Sequence, residues 1–560
     1  MLRRAAILFV LTAAFASPAA AQPTELMPGV TYERTVTFTP HGVVVLHVIT
    51  APRPGGLYAL QPVLAGGTLT GGLAPVTRLQ RDLAATATTA GIEGDFFRAA
   101  DSRPSGIWIS NGLVVQPPLA SRSSIGIDAS GMLRVQRERL FGTWQGTGQR
   151  RTLTGLNEPP GPGQTVLFTS AYGARTPPVT GAAEVVLDVF PATAPNTDLA
   201  ATVAAGASGG GEPIPAGGAV LMATGAAAEK LRAEAPVGTT LRSRLGLQPA
   251  WDGVTAAFGG GPALVRNGKA VFRSLEDFTN DQVGSRTARA AVGQRADGRI
   301  VLVAVDGGRP GYSVGLTSFE LARALVGLGV VTAAGVDPGD SVTAAFDGRL
   351  LNRPSGRAER AVKEALLVEY FGVFAPEPPL PLLTGEPGLT TEPVSYKVVR
   401  ASTVTATLVG PDGTPHPVET GVAHVPGTYA FTAATFDREG TWRWDVAASD
   451  DLGRTSTIER TFRYDTTLQG LVVPRTARRT LRVGFTLDRP AQVTLRIETA
   501  GGVLVRALPS VALQPGARSV AWDGRLPRGS LAFAGMYVAH LLYTSDSGAS
   551  ERSESFRFRR

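Results

Sequence analysis

Residues 300–352 read IVLVAVDGGRPGYSVGLTSFELARALVGLGVVTAAGVDPGDSVTAAFDGRLLN. Two apolar runs of strand length stand in this stretch, Ile300–Val305 ahead of Asp306 and a second ending in Gly335-Val336 ahead of Asp337. Near-continuous apolar runs bounded by turns are expected of strands buried on both faces. Between them Thr317, with Glu320 three residues on, spells a capping box. Leu321, Leu325 and Leu328 recur at helical spacing, and Gly329 supplies a C-terminal stop. Strand, helix and strand at this spacing predict a βαβ unit with parallel strands. Asp306 and Asp337 would then emerge at one sheet edge, where open α/β sheets hold their ligands.

The rest of the 560 residues narrows the possibilities. Arg3 and Arg4, the apolar run 5–16 and Ala19-Ala20-Ala21 predict a secretory signal peptide over 1–21, so an exported protein is expected. No later segment is apolar for the length of a membrane span, so no integral membrane segment is expected after signal removal. An exported chain with no cysteine must be held by packed cores rather than disulfides. The formal charge of +8 falls to +6 without Arg3 and Arg4, and its arginines are scattered, which argues against nucleic acid as a partner. The 67 Gly and 41 Pro predict many turns and a β-rich chain.

Residues 22–375 are expected to form an α/β mixed-sheet domain containing the βαβ unit. Residues 376–393, PEPPLPLLTGEPGLTTEP, read as a Pro/Gly-rich linker. Short alternating strands follow over 394–466, where Trp442 and Trp444 share one strand face with Arg443 on the other, predicting an Ig-like β-sandwich. A second such module is expected over 467–560. There Trp522-Asp523-Gly524 and Gly535-Met536-Tyr537 resemble signatures of the Ig-like domain of flagellar hook-capping proteins.

Only His41 and His47, among five histidines, lie in the large region. A thiol nucleophile is excluded, a zinc cluster is not expected, and a Ser-His-Asp triad would have to recruit one of these two. No phosphate-binding Gly-rich loop follows a predicted strand. Carboxylates remain as the chemical groups, and glycosyl chemistry is their usual task. Beside Asp306 and Asp337 stands Asp95, in Gly94-Asp95-Phe96-Phe97. No metal and no cofactor are expected.

Taken in order, several short stretches resemble one family. They are Gly94–Phe97, Ser105-Gly106-Ile107 with Asn111-Gly112, Gly259–Pro262 with Asn267-Gly268, Arg286–Gly293, Asp306-Gly307, Gly315-Leu316-Thr317 with Glu320, Asp337–Ser341 and Asn352–Ser355 with Glu359-Arg360. The series is similar to the phosphodiester glycosidase domain family and covers roughly residues 40–370. The resemblance implies hydrolysis of a sugar joined through its anomeric carbon to a phosphodiester, in a cell-envelope or exopolysaccharide glycan. By position it implies Asp95, Asp306 and Asp337 as catalytic acids and Arg289 as the anion-binding cation. Ser341, Gly94, Gly307, Gly339 and Asn111 would contact substrate. The sequence departs from the family pattern at Glu93, Ala290, Pro338 and Asp340, which opens a second reading, a glycan-binding relative with impaired catalysis. Proline removes an N–H at 338, and Asp340 adds negative charge where an anionic substrate would approach.

Overall fold

The computed structural model describes residues 23–271, 274–378, 382–383, 394–431, 436, 438–499 and 503–560. The expected signal peptide and most of the expected linker lie outside the described residues. The chain divides into two compact units, one spanning Thr88–Tyr370 with the chain up to Ala84, the other Phe371–Arg560 with Ala85–Ala87.

In the first unit an eight-stranded sheet runs Thr24–Met27, Val30–Thr39, Gly42–Ala51, Ile300–Val305, Arg289–Arg295, Val330–Gly335, Ala263–Arg266, Lys269–Ala270. Every neighbouring pair in it is antiparallel. Ile300–Val305 and Val330–Gly335 do run parallel to one another, because each pairs antiparallel with Arg289–Arg295 between them. The expected βαβ unit therefore has a third strand inserted in it. The α/β mixed-sheet description needs correcting: this sheet is wholly antiparallel, and the described residues hold four short α-helices among many strands. Periodicity identified the helix and both strands but carried no information about what lay between the strands.

Helix Ser318–Gly327 begins at Thr317, whose side chain accepts from the Glu320 N–H while Glu320 reaches back to the Thr317 N–H. Past its end Gly329 takes φ +79°. Leu321, Ala322 and Leu325 pack on Val44, Val301, Val303 and Val305. Truncating Leu325 to Ala would cost about 2–5 kcal/mol in a cavity of this kind.

A second sheet, Arg349–Leu350, Ala344–Phe346, Thr88–Glu93, Glu364–Tyr370, Tyr58–Leu64, supplies the other half of the site. All of Thr88–Glu93 is buried. The two sheets meet at their strand ends, where the Asp337 N–H donates to the Gly94 carbonyl at 3.1 Å. Residues 139–248 build two further sheets around a core that includes Trp144, Leu167, Leu221 and Leu245, and another sheet joins Leu113–Gln116, Trp108–Ser110, Val254–Gly259, Ser124–Asp128 and Leu133–Gln136.

Within the second unit, Val394–Tyr464 forms a two-stranded and a larger sheet, and Leu382–Leu383, inside the expected linker, pairs parallel with Arg463–Tyr464. Trp442 and Trp444 are buried and Arg443 is exposed, as a two-residue period dictates. Leu468–Arg559 forms a three-stranded and a six-stranded sheet over a core of Trp522, Tyr537, Phe556 and Phe558.

Candidate active site

Asp95 follows Thr88–Glu93 and Asp337 follows Val330–Gly335, so each leaves the end of a buried strand. Glu93 and Glu364 sit at the ends of neighbouring strands, in the register Ala365 to Glu93. Four acids thus gather in one dry place, with Glu93, Asp95 and Glu364 at most 3% exposed and Asp337 at 9%. Burial pushes all four carboxyls up, and repulsion from neighbouring acids adds to it at Glu93, Asp95 and Glu364.

Burial raises Asp95 to about 7, against hydrogen bonds from the Phe96 and Gly106 N–H groups. The same cause takes Asp337 to about 6, opposed by a hydrogen bond from Ser341 and by the charges of Arg360 and Arg122. Glu93 and Glu364 lie well above the carboxylate range. Glu364 Oε1 accepts from the Asp95 N–H at 2.6 Å and Glu93 Oε2 from the Thr343 N–H at 2.8 Å. Among the described residues the other oxygen of each has no hydrogen-bond partner, which fits a neutral carboxylic acid. These two acids support the site, and Asp95 and Asp337 can titrate in it.

Asp337 Oδ2 accepts from Ser341 Oγ at 2.5 Å, and Ser341 accepts in turn from Arg360 Nη1 at 3.0 Å. Arg122 stacks over Phe96 and Phe278, its guanidinium carbon 4.9 and 4.3 Å from the ring centroids. Arg360 lies over Phe97 at 5.1 Å. Two arginines thus stand on the paired phenylalanines that follow Asp95, and both lower Asp337. The sequence assigns neither a role: Arg360 stands with Glu359 at the end of the series of motifs and Arg122 lies outside it, and only the fold brings both to Asp337.

Asp306 is built differently. Its Oδ2 accepts from Tyr312 Oη at 2.8 Å and lies 3.0 Å from His47 Nε2, while Oδ1 accepts from Asn352 Nδ2 and the Arg353 N–H, both at 3.1 Å. Burial alone would raise this carboxyl, but the bonds from His47, Tyr312 and Asn352 hold it below its ordinary value. Tyr32 Oη lies 2.8 Å from His47 Nδ1 and extends the network. Asp306 is an anchored anion that ties Asn352 to the loop carrying Ser341, through Asn352 and the Val342 carbonyl at 3.2 Å.

Arg289 is also engaged. Its Nε donates to the Leu316 carbonyl at 2.6 Å, and Nη2 donates to Gln282 and Ser285 carbonyls at 2.9 and 2.8 Å. Burial lowers it to about 10, so it stays charged. It lines a cleft with Phe96, Pro262, Phe278 and Pro338, beside Asp337. Arg122 and Arg360 are therefore better placed than Arg289 to meet an anion at the acids.

The remaining predicted contacts divide. Gly94 packs on Glu364, where an added Cβ would stand 2.5 Å from Cγ. Gly307 lies against the Ala288 backbone, and Gly339, at φ +79°, donates its N–H to the Ala288 carbonyl at 2.9 Å. Asn111 occupies the two-residue hairpin turn between Ser110 and Leu113 with φ +51°. Five residues of extended chain, about 16 Å, separate it from the Gly106 that touches Asp95. Its type fits a turn. Two Gly-x-Ser-x-Gly spacings hold no nucleophile elbow. Ser208 lies within the strand Ala205–Gly210, and Ser313 Oγ donates to the Asp306 carbonyl at 2.5 Å.

Four acids and two arginines thus gather where the two sheets meet. Residues 196–369 match the phosphodiester glycosidase family. Residues 473–547 match the FlgD Ig-like domain. The phosphodiester glycosidase match holds Arg289, Asp306, Asp337, Ser341, Arg360 and Glu364, while Asp95 and Arg122 precede it. An SPbeta prophage-derived uncharacterized protein YomE of Bacillus subtilis strain 168 is 32% identical over 118 residues, 21% of this chain and 18% of that protein. A hypothetical protein from Synechocystis shares the fold at TM-score 0.52 and 26% identity, over 61% of this chain and 62% of that one. The catalytic domain of zebrafish N-acetylglucosamine-1-phosphodiester alpha-N-acetylglucosaminidase aligns at TM-score 0.35 and 14% identity, over 63% of this chain and 85% of that one. The chain therefore spans less than a fifth of the curated relative and under two thirds of the Synechocystis chain.

Proposed function

We propose that this protein hydrolyses a sugar-1-phosphodiester, with Asp95 and Asp337 as the acid and base and Arg122 and Arg360 holding the diester anion. The carrying observation is the Asp95–Asp337 pair, two buried acids raised to about 7 and about 6 with two cations beside them. A phosphate monoester departs readily, so the demands are to activate water, to stabilise positive charge at the anomeric carbon and to hold an anion. Ionised Asp337 takes a proton from water as the water oxygen bonds to that carbon. The carbon–oxygen bond to phosphate breaks with its electron pair on oxygen, and Asp95 supplies a proton to the leaving group. Arg–phosphate contacts suit the diester because the guanidinium fork matches paired phosphate oxygens.

The departures from the family pattern are compatible with this chemistry. Asp340 is exposed, and the Asp337–Ser341 bond forms despite Pro338. Glu93 is buried and suited to the neutral form. We place the substrate among cell-envelope or exopolysaccharide glycans and the protein outside the cytoplasm, because the N-terminus reads as an export signal. No helix among the described residues is long and apolar enough to cross a membrane. The two β-modules are then Ig-like sandwiches acting as spacers or anchors.

The test is release of free sugar from a panel of sugar-1-phosphate diesters by the full chain. Release is expected with at least one of them, and it should vanish in Asp337→Asn. Saturable binding of the same diesters without release would replace this reading with the glycan-binding one.

A further inference from the structure

The cleft beside Asp337 shares the walls Pro262, Leu264, Phe278 and Ser318 with a larger groove of about 740 Å³. Val271, Leu275, Val283 and Phe319 extend its apolar lining. Leu275 is 78% exposed, with φ +57°. A leucine held both in water and in the left-handed region is disfavoured twice, and such features gather where a ligand is bound.

The loop that carries Leu275 is fixed on its other side to the anion site. Glu276 Oε2 accepts from the Ser123 N–H and Oε1 from the Ala263 N–H, both at 2.7 Å. Arg122 Nε donates to the Asp277 carbonyl at 3.1 Å. An added Cβ at Gly261, where φ is +122°, would stand 2.6 Å from Glu276 Oε2, so only glycine permits this packing. Phe278 consequently carries the Arg122 guanidinium 4.3 Å from its ring centroid and also forms a wall of the groove. A phosphate held by Arg122 has the acids on one side and, past Phe278, the groove with its apolar residues on the other.

We propose that this groove receives an apolar alcohol arm of the diester, so that the substrate class is a sugar phosphate esterified to a long-chain or prenyl-type alcohol. The inference rests on the glycosidase reading for the sugar side, but the groove can be probed without turnover. A phosphodiester has two arms. The acids must take the sugar, and the second arm leaves the phosphate toward apolar side chains. Of the polar groups on the lining, Glu276 and Thr317 already accept from backbone N–H groups, which leaves Ser274, Asn280 and Ser318 to meet a sugar, whereas an alkyl chain would bury methylenes on Val271, Leu275, Val283 and Phe319. Two buried methylenes correspond to roughly a tenfold gain in affinity.

The experiment is calorimetric titration of the full chain with methyl phosphate and with octyl phosphate below its micelle concentration. Octyl phosphate should bind at least tenfold more tightly. Leu275→Asp and Val283→Asp should each bring the octyl-to-methyl ratio toward one. Because Leu275 is exposed, its variant should keep the wild-type unfolding temperature. Equal affinities in the wild type, or a preference unmoved by both substitutions, would overturn the proposal. A preference that survives in a chain releasing no sugar from any diester would keep the groove and remove the hydrolase. Equal affinities in a chain that does release sugar would do the reverse. A second copy of the chain seated in the groove would appear as a dimer with no chain-length preference, and would also overturn it.

Discussion

Asp306 and His47 meet at 3.0 Å, Oδ2 to Nε2, with both side chains at most 2% exposed. The pair joins the strand Gly42–Ala51 to the end of its neighbour Ile300–Val305, and Tyr312, Asn352 and the Arg353 N–H fill the remaining positions on the carboxylate. Such a saturated carboxylate holds structure together. Asp337 differs, with one oxygen on Ser341 and a raised pKa.

Asn substitutions at these two aspartates should therefore separate. Asp306→Asn leaves buried donors facing an amide and removes the charge opposite His47. Breaking a buried pair costs roughly 3–5 kcal/mol, so unfolding should move to lower temperature and sugar release should fall with it. Asp337→Asn removes a carboxylate that burial disfavours, and an amide oxygen still accepts from Ser341. Its unfolding temperature should stay near wild type while release is lost. Scanning calorimetry and a release assay on both variants decide this, and an unchanged unfolding temperature in Asp306→Asn would refute the anchoring role.

Activity should follow a bell in pH. The base must be ionised, which requires pH above about 6 for Asp337, and the acid must be protonated, which requires pH below about 7 for Asp95. The two limbs belong to the interacting pair rather than to either residue. In Asp95→Asn the alkaline limb should disappear while the acid limb remains, at reduced rate. A kcat/KM profile of wild type and variant tests it, and an unaltered alkaline limb would remove Asp95 from the acid role.

Gly259 should tolerate no side chain. An added Cβ would stand 1.9 Å from Asp95 Oδ2 and 2.6 Å from the Gly106 Cα. Because backbone lies on one side, Asp95 must move. A displacement of about 1 Å can cost roughly 100-fold in rate, and a loss of that size in kcat/KM is expected for Gly259→Ala. Gly217, whose added Cβ would meet nothing within 4 Å, provides the control: Gly217→Ala should keep full activity.

What the sequence revealed and concealed follows from the range of each signal. The capping box at Thr317–Glu320, the leucine spacing and the terminal Gly329 are local, and all three stand as read. Asp306 and Asp337 were visible because each ends an apolar run. Arg289–Arg295 between their strands was not, since pairing is set by residues far apart in the chain. Nor could periodicity separate an anchored Asp306 from a titrating Asp337, because the difference lies in His47, Tyr312 and Asn352. Glu364 is hidden for the same reason, at the start of a strand that begins 269 positions after Asp95. Asn111 illustrates the converse, a residue of a tight turn whose place in a series of motifs also suggests chemistry.

Arg360 offers the sharpest test of the anion site, because it acts on Asp337 and on substrate at once. It donates to Ser341 Oγ at 3.0 Å, and its charge holds Asp337 down. Removing that charge in Arg360→Gln should let the Asp337 carboxyl rise above about 6, so the acid limb of kcat/KM should move to higher pH. The same change deletes a cation from the diester site, and KM should increase. Because Arg360 is solvent-exposed, its part in binding should also be screened by salt. Wild-type KM should then climb with ionic strength more steeply than the variant's. Asp95, whose cationic influence is Arg122 rather than Arg360, should keep its alkaline limb in place. An acid limb that stays fixed while KM rises would leave Arg360 as a binding group alone, with no part in setting the base.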